Sequence, residues 1–226
     1  MSIRILKYLT PVLQPVYRRY LSRTRPFRFK NIRILVRPGV FYPGFIISTK
    51  LFLRFIEQLD LQDRTLLELG AGSGVISLLA ASKGAMVTAS DINPVAVQNI
   101  RENVVMNRSA LIVIESDLFE RIPRSVFDFI VIAPPYYPKD PRDYGEMAWF
   151  CGSNFDFFER LFQQLPGFYH ASTQVLMILS EDCNISRIKE IGANYGFEFD
   201  LLKSKRKLGE WNYIFSLRRV EQKMNC

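Results

Sequence analysis

The sequence predicts an α/β fold: a doubly wound, mostly parallel sheet of seven strands that ends in an antiparallel hairpin. Three observations predict it. From Thr65 onward, short apolar runs alternate with stretches of helical period. A glycine cluster follows the first run directly, as at the end of a buried parallel strand. The last two strand-like stretches are separated by a short connection, which favours direct antiparallel pairing.

Residues 65–69 (TLLEL) form the first core strand, and GVISLLAASKG is a small-residue helix with Gly84 as its C-terminal stop. MVTASD (86–91) is the second strand. Asn93-Pro94 then supplies an N-cap and a first-turn proline for the helix VAVQNIRENVVMN, whose Val97, Ile100, Val104 and Val105 share a face. LIVIES (111–116) and FDFIVIA (127–133) are strands, FDFFERLFQQL (155–165) a helix and QVLMILS (174–180) the fifth strand. The helix NISRIKEIGANYG leads to FEFDLL (197–202) and WNYIFSLRRV (211–220), with KSKRKLGE as the basic turn between them. Strand–helix–strand units of this kind cross over right-handed, and their ligands sit beyond the C-terminal strand ends.

With 226 residues, 48% hydrophobic and 23% charged, the chain has the composition of a globular protein with a continuous core. A disordered chain, a collagen-like repeat and a disulfide scaffold are excluded. Cys151, Cys183 and Cys226 lie far apart with no C-x-x-C pair, which gives no zinc framework and suggests a reducing, cytoplasmic setting. No apolar run reaches the roughly 20 residues of a membrane-spanning helix, and MSIRILKYLTPVLQPVYRRY does not read as a signal peptide.

The formal charge of +8 is concentrated at the start. Residues 1–37 carry ten Lys or Arg and no acid, so the rest of the chain has 20 bases against 22 acids. We read a basic N-terminal extension over 1–38 and one domain over 39–226. Such a block suits an acidic partner, and two readings stand: VLQPVYRRYL docks on its own domain, or RYLSRTRPFRFK grips nucleic acid with interleaved cations and aromatics.

The motif ELGAGSG runs from Glu68 to Gly74. Gly70, Gly72 and Gly74, with Ala71 between the first two, let the backbone turn sharply and a ligand approach it closely. Asp91, followed by Ile92, ends the second strand 21 residues after Gly70, where a carboxylate accepts both hydroxyl hydrogens of a ribose. A dinucleotide pattern requires Gly or Ala at position 75, which is Val75. S-adenosylmethionine has no phosphate and needs only the glycine approach and the ribose acid. Asp117, ending the third strand, is an acceptor for an adenine amino group or else a helix or turn cap, with Leu118 or Phe119 flanking the base. The fourth strand ends in IAPPYYP (132–138), where consecutive prolines hold their carbonyls rigidly and Tyr136 offers a flat wall.

LLELGAGSGVISLLAA, SDINPVAVQNIREN, SDLF and APPYYP, in this order and spacing, resemble the class I S-adenosylmethionine-dependent methyltransferases of Rossmann-like fold. The resemblance is strongest to the amino-methylating, small-domain group that includes the release-factor glutamine methyltransferases. It extends over about residues 39–219, including GVFYP (39–43), STKLFLRFI (48–56) and AWFCGSNFDFFERLF (148–162), the last resembling a helix after the substrate loop. It implies S-adenosylmethionine as cofactor, bound by Glu68, Gly70, Ala71, Gly72, Gly74, Asp91, Ile92, Asp117, Leu118 and Ala133. It also implies Pro134, Pro135 and Tyr136 as the catalytic loop, and a nitrogen of a protein side chain, an RNA base or a small molecule as methyl acceptor. Ala133 stands where the family has Asn or Asp, whose side chain accepts a target N–H. That departure puts glutamine methylation in question and marks either a different acceptor or a weakened activity, not a loss of cofactor binding. The alternatives are a cofactor-binding relic or scaffold without transfer and, more distantly, a nicotinamide oxidoreductase.

Ser48 and Thr49 read as caps of the helix that follows them or as cofactor contacts. Trp149, Phe150, Tyr137 and Tyr144 read either as core or as a stack for a planar substrate. Cys151 lacks the positive neighbour a nucleophilic thiol needs. His170 reads as a surface or capping residue, and no metal site is expected.

Overall fold

In a computed structural model, residues 19–45, 47–207 and 209–220 are described. The docking expected of VLQPVYRRYL falls almost wholly outside them.

Among the described residues there are nine strands: β1 (Arg25–Phe29), β2 (Ile32–Val36), β3 (Thr65–Leu69), β4 (Met86–Asp91), β5 (Ile112–Glu115), β6 (Phe129–Ile132), β7 (Gln174–Ser180), β8 (Phe197–Lys207) and β9 (Glu210–Arg219). The α-helices are α1 (Ile47–Ile56), α2 (Val75–Ser82), α3 (Pro94–Met106), α4 (Tyr144–Met147), α5 (Asp156–Gln164) and α6 (Ile185–Asn194). Strands β3 to β9 make one seven-stranded sheet in the order β5-β4-β3-β6-β7-β9-β8. The first five are parallel, and β9 and β8 complete the sheet antiparallel to their neighbours.

Strands buried on both faces read as continuous apolar runs, and here their alternate residues feed two cores. Leu66, Val131, Leu176, Ile178 and Ile214 pack with α1 and α2. Leu67, Ile130, Val175, Met177, Phe215 and Leu217 pack with α5 and α6 around Phe158 and Phe162. The order of strands reverses between β3 and β6, so the C-terminal ends of β3, β4 and β6 open onto one rim.

Several elements differ from the sequence reading. The segment KSKRK is strand, not turn: Lys203 to Lys207 pair with Ile214 to Glu210 after a bulge at Leu201/Lys203, and the chain reverses around Gly209 at φ +90°. β8 is an edge strand paired on one side only, so charged side chains stay solvated while the backbone bonds inward. Val105 points to solvent at 79% exposure, and the inner face of α3 instead carries fully buried Asn99 and Asn103. Ser48 and Thr49 lie inside the first turn of α1, which begins at Ile47. Residues 148–155 are not helical, since α5 starts only at Asp156.

The basic N-terminal segment contains the β1–β2 hairpin, paired from Arg25↔Val36 to Phe29↔Ile32. Its outer edge is closed by three asparagines spaced four residues apart, two on α3 and the third, Asn107, at its C-cap. Asn99 accepts from Arg37 N (3.1 Å) and donates to Leu35 O (2.8 Å). Asn103 accepts from Leu35 N (2.9 Å), and Asn107 accepts from Arg33 N (3.1 Å) and donates to Arg33 O (2.7 Å). Side-chain amides thus replace a neighbouring strand and satisfy backbone groups that burial would otherwise leave unpaired. Part of the basic block serves the domain itself, since Arg37 pairs with Glu102 at 2.6 Å and Lys30 pairs with Glu57.

Candidate active site

The loop after β3 turns through Gly70 at φ +67° and Gly74 at φ +75°, conformations that favour glycine. A side chain at Gly70 would project into open space, so the backbone there is bare to whatever occupies the cavity. Gly74 is different: a Cβ would meet Ile100 at 3.1 Å, and Gly74 is not part of the cavity wall. Its glycine is required by close packing of α2 on α3.

Asp91 at the end of β4 fixes this loop. Its Oδ2 accepts from Gly72 N at 2.7 Å and its Oδ1 from Asn93 N at 2.8 Å, so one carboxylate ties the glycine turn to the start of α3. Burial pushes its pKa upward, and the N–H donors of Asn93, Gly72 and Ile92 oppose that shift. Glu68 is 4% exposed and accepts from both the backbone N–H (2.8 Å) and the hydroxyl of Ser77. Burial drives its pKa up to about 8 against those two hydrogen bonds. It clips the strand to the first turns of α2.

Asp117 follows β5, and its Oδ2 lies 2.8 Å from Arg160 Nη2 on α5. The same guanidinium reaches Glu120 at 2.9 Å. Leu118, at φ +50°, turns the chain there and is 7% exposed.

At the end of β6, Ala133 is exposed on the rim and Pro134 is buried. The loop is held from outside: Tyr136 N and Tyr137 N both donate to Trp149 O, at 3.2 and 3.0 Å, and Cys151 N donates to Tyr137 O at 3.0 Å. Burial, more than any neighbour, holds the Tyr136 phenol far above its ordinary range, with the Ser180 hydroxyl beside it. Tyr137 is pushed up to about 12, chiefly by burial. Trp149 packs against Phe41 at 5.1 Å between ring centroids, closing the segment before α1 over the loop after β6.

These pieces surround one cavity of about 460 Å³, a size ordinary for small-molecule sites. Its wall includes Glu68, Gly70, Ala71, Gly72, Asp91, Ile92, Asp117, Leu118, Ala133, Pro134, Pro135 and Tyr136, every expected site residue except Gly74. Ser48, Thr49, Tyr144, Trp149 and Phe150 also line it; Tyr137 does not. Cys151 lies in the wall as a buried thiol whose pKa burial raises to about 11, the opposite of nucleophilic activation. Sequence reading missed Arg160 and Phe41. An arginine on an amphipathic helix looks like solvated surface until packing sets it on Asp117, and Phe41 looks like ordinary core.

Comparison with known proteins bears on this geometry. The methyltransferase small domain model matches residues 31–147. A Methanocaldococcus jannaschii protein named for protein N5-glutamine methylation is 30% identical over 173 residues, covering 72% of this chain and 85% of that protein. The release factor glutamine methyltransferase of Aquifex aeolicus is 35% identical over 111 residues, covering 46% of this chain and 39% of the relative. Among solved structures, the T. thermophilus 16S rRNA N2 G1207 methyltransferase in complex with AdoMet and guanosine shares the fold. It has a TM-score of 0.65 at 20% identity and covers 87% of this chain and 50% of that one. The chain thus belongs to the methyltransferase small domain family and is an S-adenosylmethionine-dependent methyltransferase.

Proposed function

We propose that this methyltransferase delivers its methyl group to a nitrogen on a planar group of a macromolecule, held on the Ala133–Tyr136 loop. The cavity suits S-adenosylmethionine. Gly70 leaves its backbone bare, Asp91 keeps a buried carboxylate beside it for a ribose, and Asp117 with Leu118 forms a polar and an apolar edge for the adenine. When bound, that cofactor supplies a methyl on a sulfonium, already activated for in-line displacement.

What remains for the protein is chiefly positioning, which is worth on the order of 7–11 kcal/mol in favourable cases. The rigid Pro134-Pro135 pair fixes carbonyl acceptors, and the neutral, half-buried Tyr136 ring provides an apolar wall beside them. Trp149 and Phe41 narrow the same mouth.

One observation carries the choice of acceptor: Ala133 opens on the cavity and brings no side-chain acceptor to the target. A glutamine amide has a conjugated lone pair and benefits from two acceptors that redirect it, so the loop favours a planar nitrogen that needs only alignment. The two glutamine-methylating relatives support the competing protein-amide reading. Buried free thiols at Cys151 and Cys183 fit a reducing cytoplasm. Among the described residues no helix is long and apolar enough to cross a membrane.

The test is transfer of a labelled methyl to fractionated RNA and to glutamine peptides, by the native protein and by Ala133→Asn. Native labelling of RNA, with glutamine labelling only in the variant, supports the proposal. Equal glutamine labelling by both proteins sinks it, and no transfer by either to any fraction favours the scaffold reading.

A further inference from the structure

Two rows of cations run side by side to the rim that carries the active site. The first lies on α1, where Lys50, Arg54 and the following Gln58 fall at successive i, i+4 positions and so share a face. The second lies on β8, where Lys203, Lys205 and Lys207 alternate onto one face of the edge strand. Their cross-strand partners are Ile214, Asn212 and Glu210. Lys203 Nζ donates to Gln58 Oε1 at 3.4 Å, which sets the two rows against each other at their far end.

From that contact both rows run toward the rim. α1 begins beside Ser48 and Thr49 in the cavity wall, and β8 ends where β9 starts alongside Ser180, the last residue of β7. Lys50, Arg54, Lys205 and Lys207 make no ion pair among the described residues. The acids of this hairpin are used elsewhere or stand at its end: Glu198 and Asp200 pair with Arg218, and Glu210 faces Lys207 across the turn. Edge-strand lysines alone are a common guard against sheet extension. A matching row on a neighbouring helix, aimed at the same mouth, is not needed for that.

We infer that this track between α1 and β8 is a docking surface for a single-stranded RNA backbone, which it guides to the Ala133–Tyr136 loop. The inference rests on the proposed planar nitrogen as acceptor. A nucleic acid offers that nitrogen and a regular line of phosphates together, whereas a protein substrate would need an acidic stretch beside its target.

The experiment uses the full chain saturated with S-adenosylhomocysteine and a labelled single-stranded RNA of mixed sequence, followed by anisotropy across a salt series. Single-stranded binding falls with a log–log slope of about −0.7 per phosphate neutralised. The variant Lys203→Gln/Lys205→Gln/Lys207→Gln is expected to flatten the slope by about 2 and weaken binding at least about tenfold at low salt. Lys50→Gln/Arg54→Gln is expected to flatten it by about 1.4. A control with Lys83→Gln/Arg108→Gln/Arg124→Gln changes three cations in the connections at the opposite end of the sheet. It should leave slope and affinity near those of the native protein.

Equal losses in the track and control variants overturn the inference, as does native-like RNA binding by the track variants. Tighter binding of a polyglutamate peptide than of the RNA overturns it in favour of an acidic protein partner. The proposed acceptor chemistry fails separately, in the labelled-methyl assay, without altering the salt slope.

Discussion

Arg160 and Asp117 are joined through Nη2 and Oδ2 at 2.8 Å, on the edge of the cavity where an adenine would lie. The pair draws α5 to the end of β5, and both residues stand in the cavity wall. Its guanidinium is held more firmly protonated by Asp117 above all, and by Glu120. Asp117→Ala is expected to weaken S-adenosylmethionine binding about 10- to 100-fold, the loss of one charge-assisted hydrogen bond. Arg160→Gln loosens the acid without removing it and should cost roughly 3- to 10-fold, because the pair is partly open to water. Calorimetric titration of both variants checks this; native affinity in Arg160→Gln would reduce the pair to a surface contact.

Asp91→Ala removes both acceptors that tie Gly72 and Asn93 together. Two N–H groups lose their partner at once, at about 1–3 kcal/mol each when buried. The variant should bind S-adenosylmethionine too weakly to titrate and should melt on the order of 5–10 °C lower. Thermal melting and calorimetry measured together distinguish this from a purely local loss, in which the melting temperature would not move.

Glu68 makes stability depend on pH in an unusual direction for a carboxyl group. Its folded pKa of about 8 lies above the ordinary 4.5, so between those values the folded chain holds a proton that the unfolded chain has released. Stability from this group is therefore greatest below pH 4.5, declines as pH rises and is fully lost above about pH 8. Glu68→Gln keeps the shape and cannot ionise, so the difference in melting temperature, variant minus native, should grow from pH 5 to pH 8. A constant difference over that range would show that Glu68 is ionised in the folded chain.

Asn103 connects the N-terminal hairpin to the glycine loop. Its Nδ2 donates both to Leu35 O at 3.0 Å and to Ser73 O at 3.1 Å. Asn103→Ala should cost about 2–4 kcal/mol, since buried groups on both sides lose their partners. It should also weaken cofactor binding, although the residue lies outside the cavity wall. Denaturant unfolding and calorimetry of the variant test the two effects separately; lower stability with unchanged cofactor affinity would confine the ladder to the hairpin.

The readable parts of this molecule were those whose physics is local. TLLEL and QVLMILS are short, mostly apolar runs, and strands buried on both faces have that composition and little freedom to be anything else. The glycine turn and Asp91 were legible because their spacing is set by one strand–turn–helix unit. The ladder of Asn99, Asn103 and Asn107 was not, because amides at helical spacing look like a wet face until an unpaired strand edge is laid against them. KSKRK was misread for a related reason: its charges advertise a loop, while its backbone needs only β9 to be a strand. Arg160 acquires its role through a tertiary contact with Asp117, and no periodicity in α5 announces that contact.

The asparagine ladder also sets an order of events during synthesis. Its hydrogen bonds link residues 62 to 74 positions apart, so the hairpin leaves the ribosome well before the helix that completes its edge. At about 5–20 residues per second, that interval lasts roughly 3–15 seconds. Through it the backbone of Arg33, Leu35 and Arg37 stays open to any passing strand. Over that interval the hairpin carries charge of one sign, from Arg25, Arg28, Lys30, Arg33 and Arg37, and like charges disfavour pairing of two such edges until Asn99, Asn103 and Asn107 arrive.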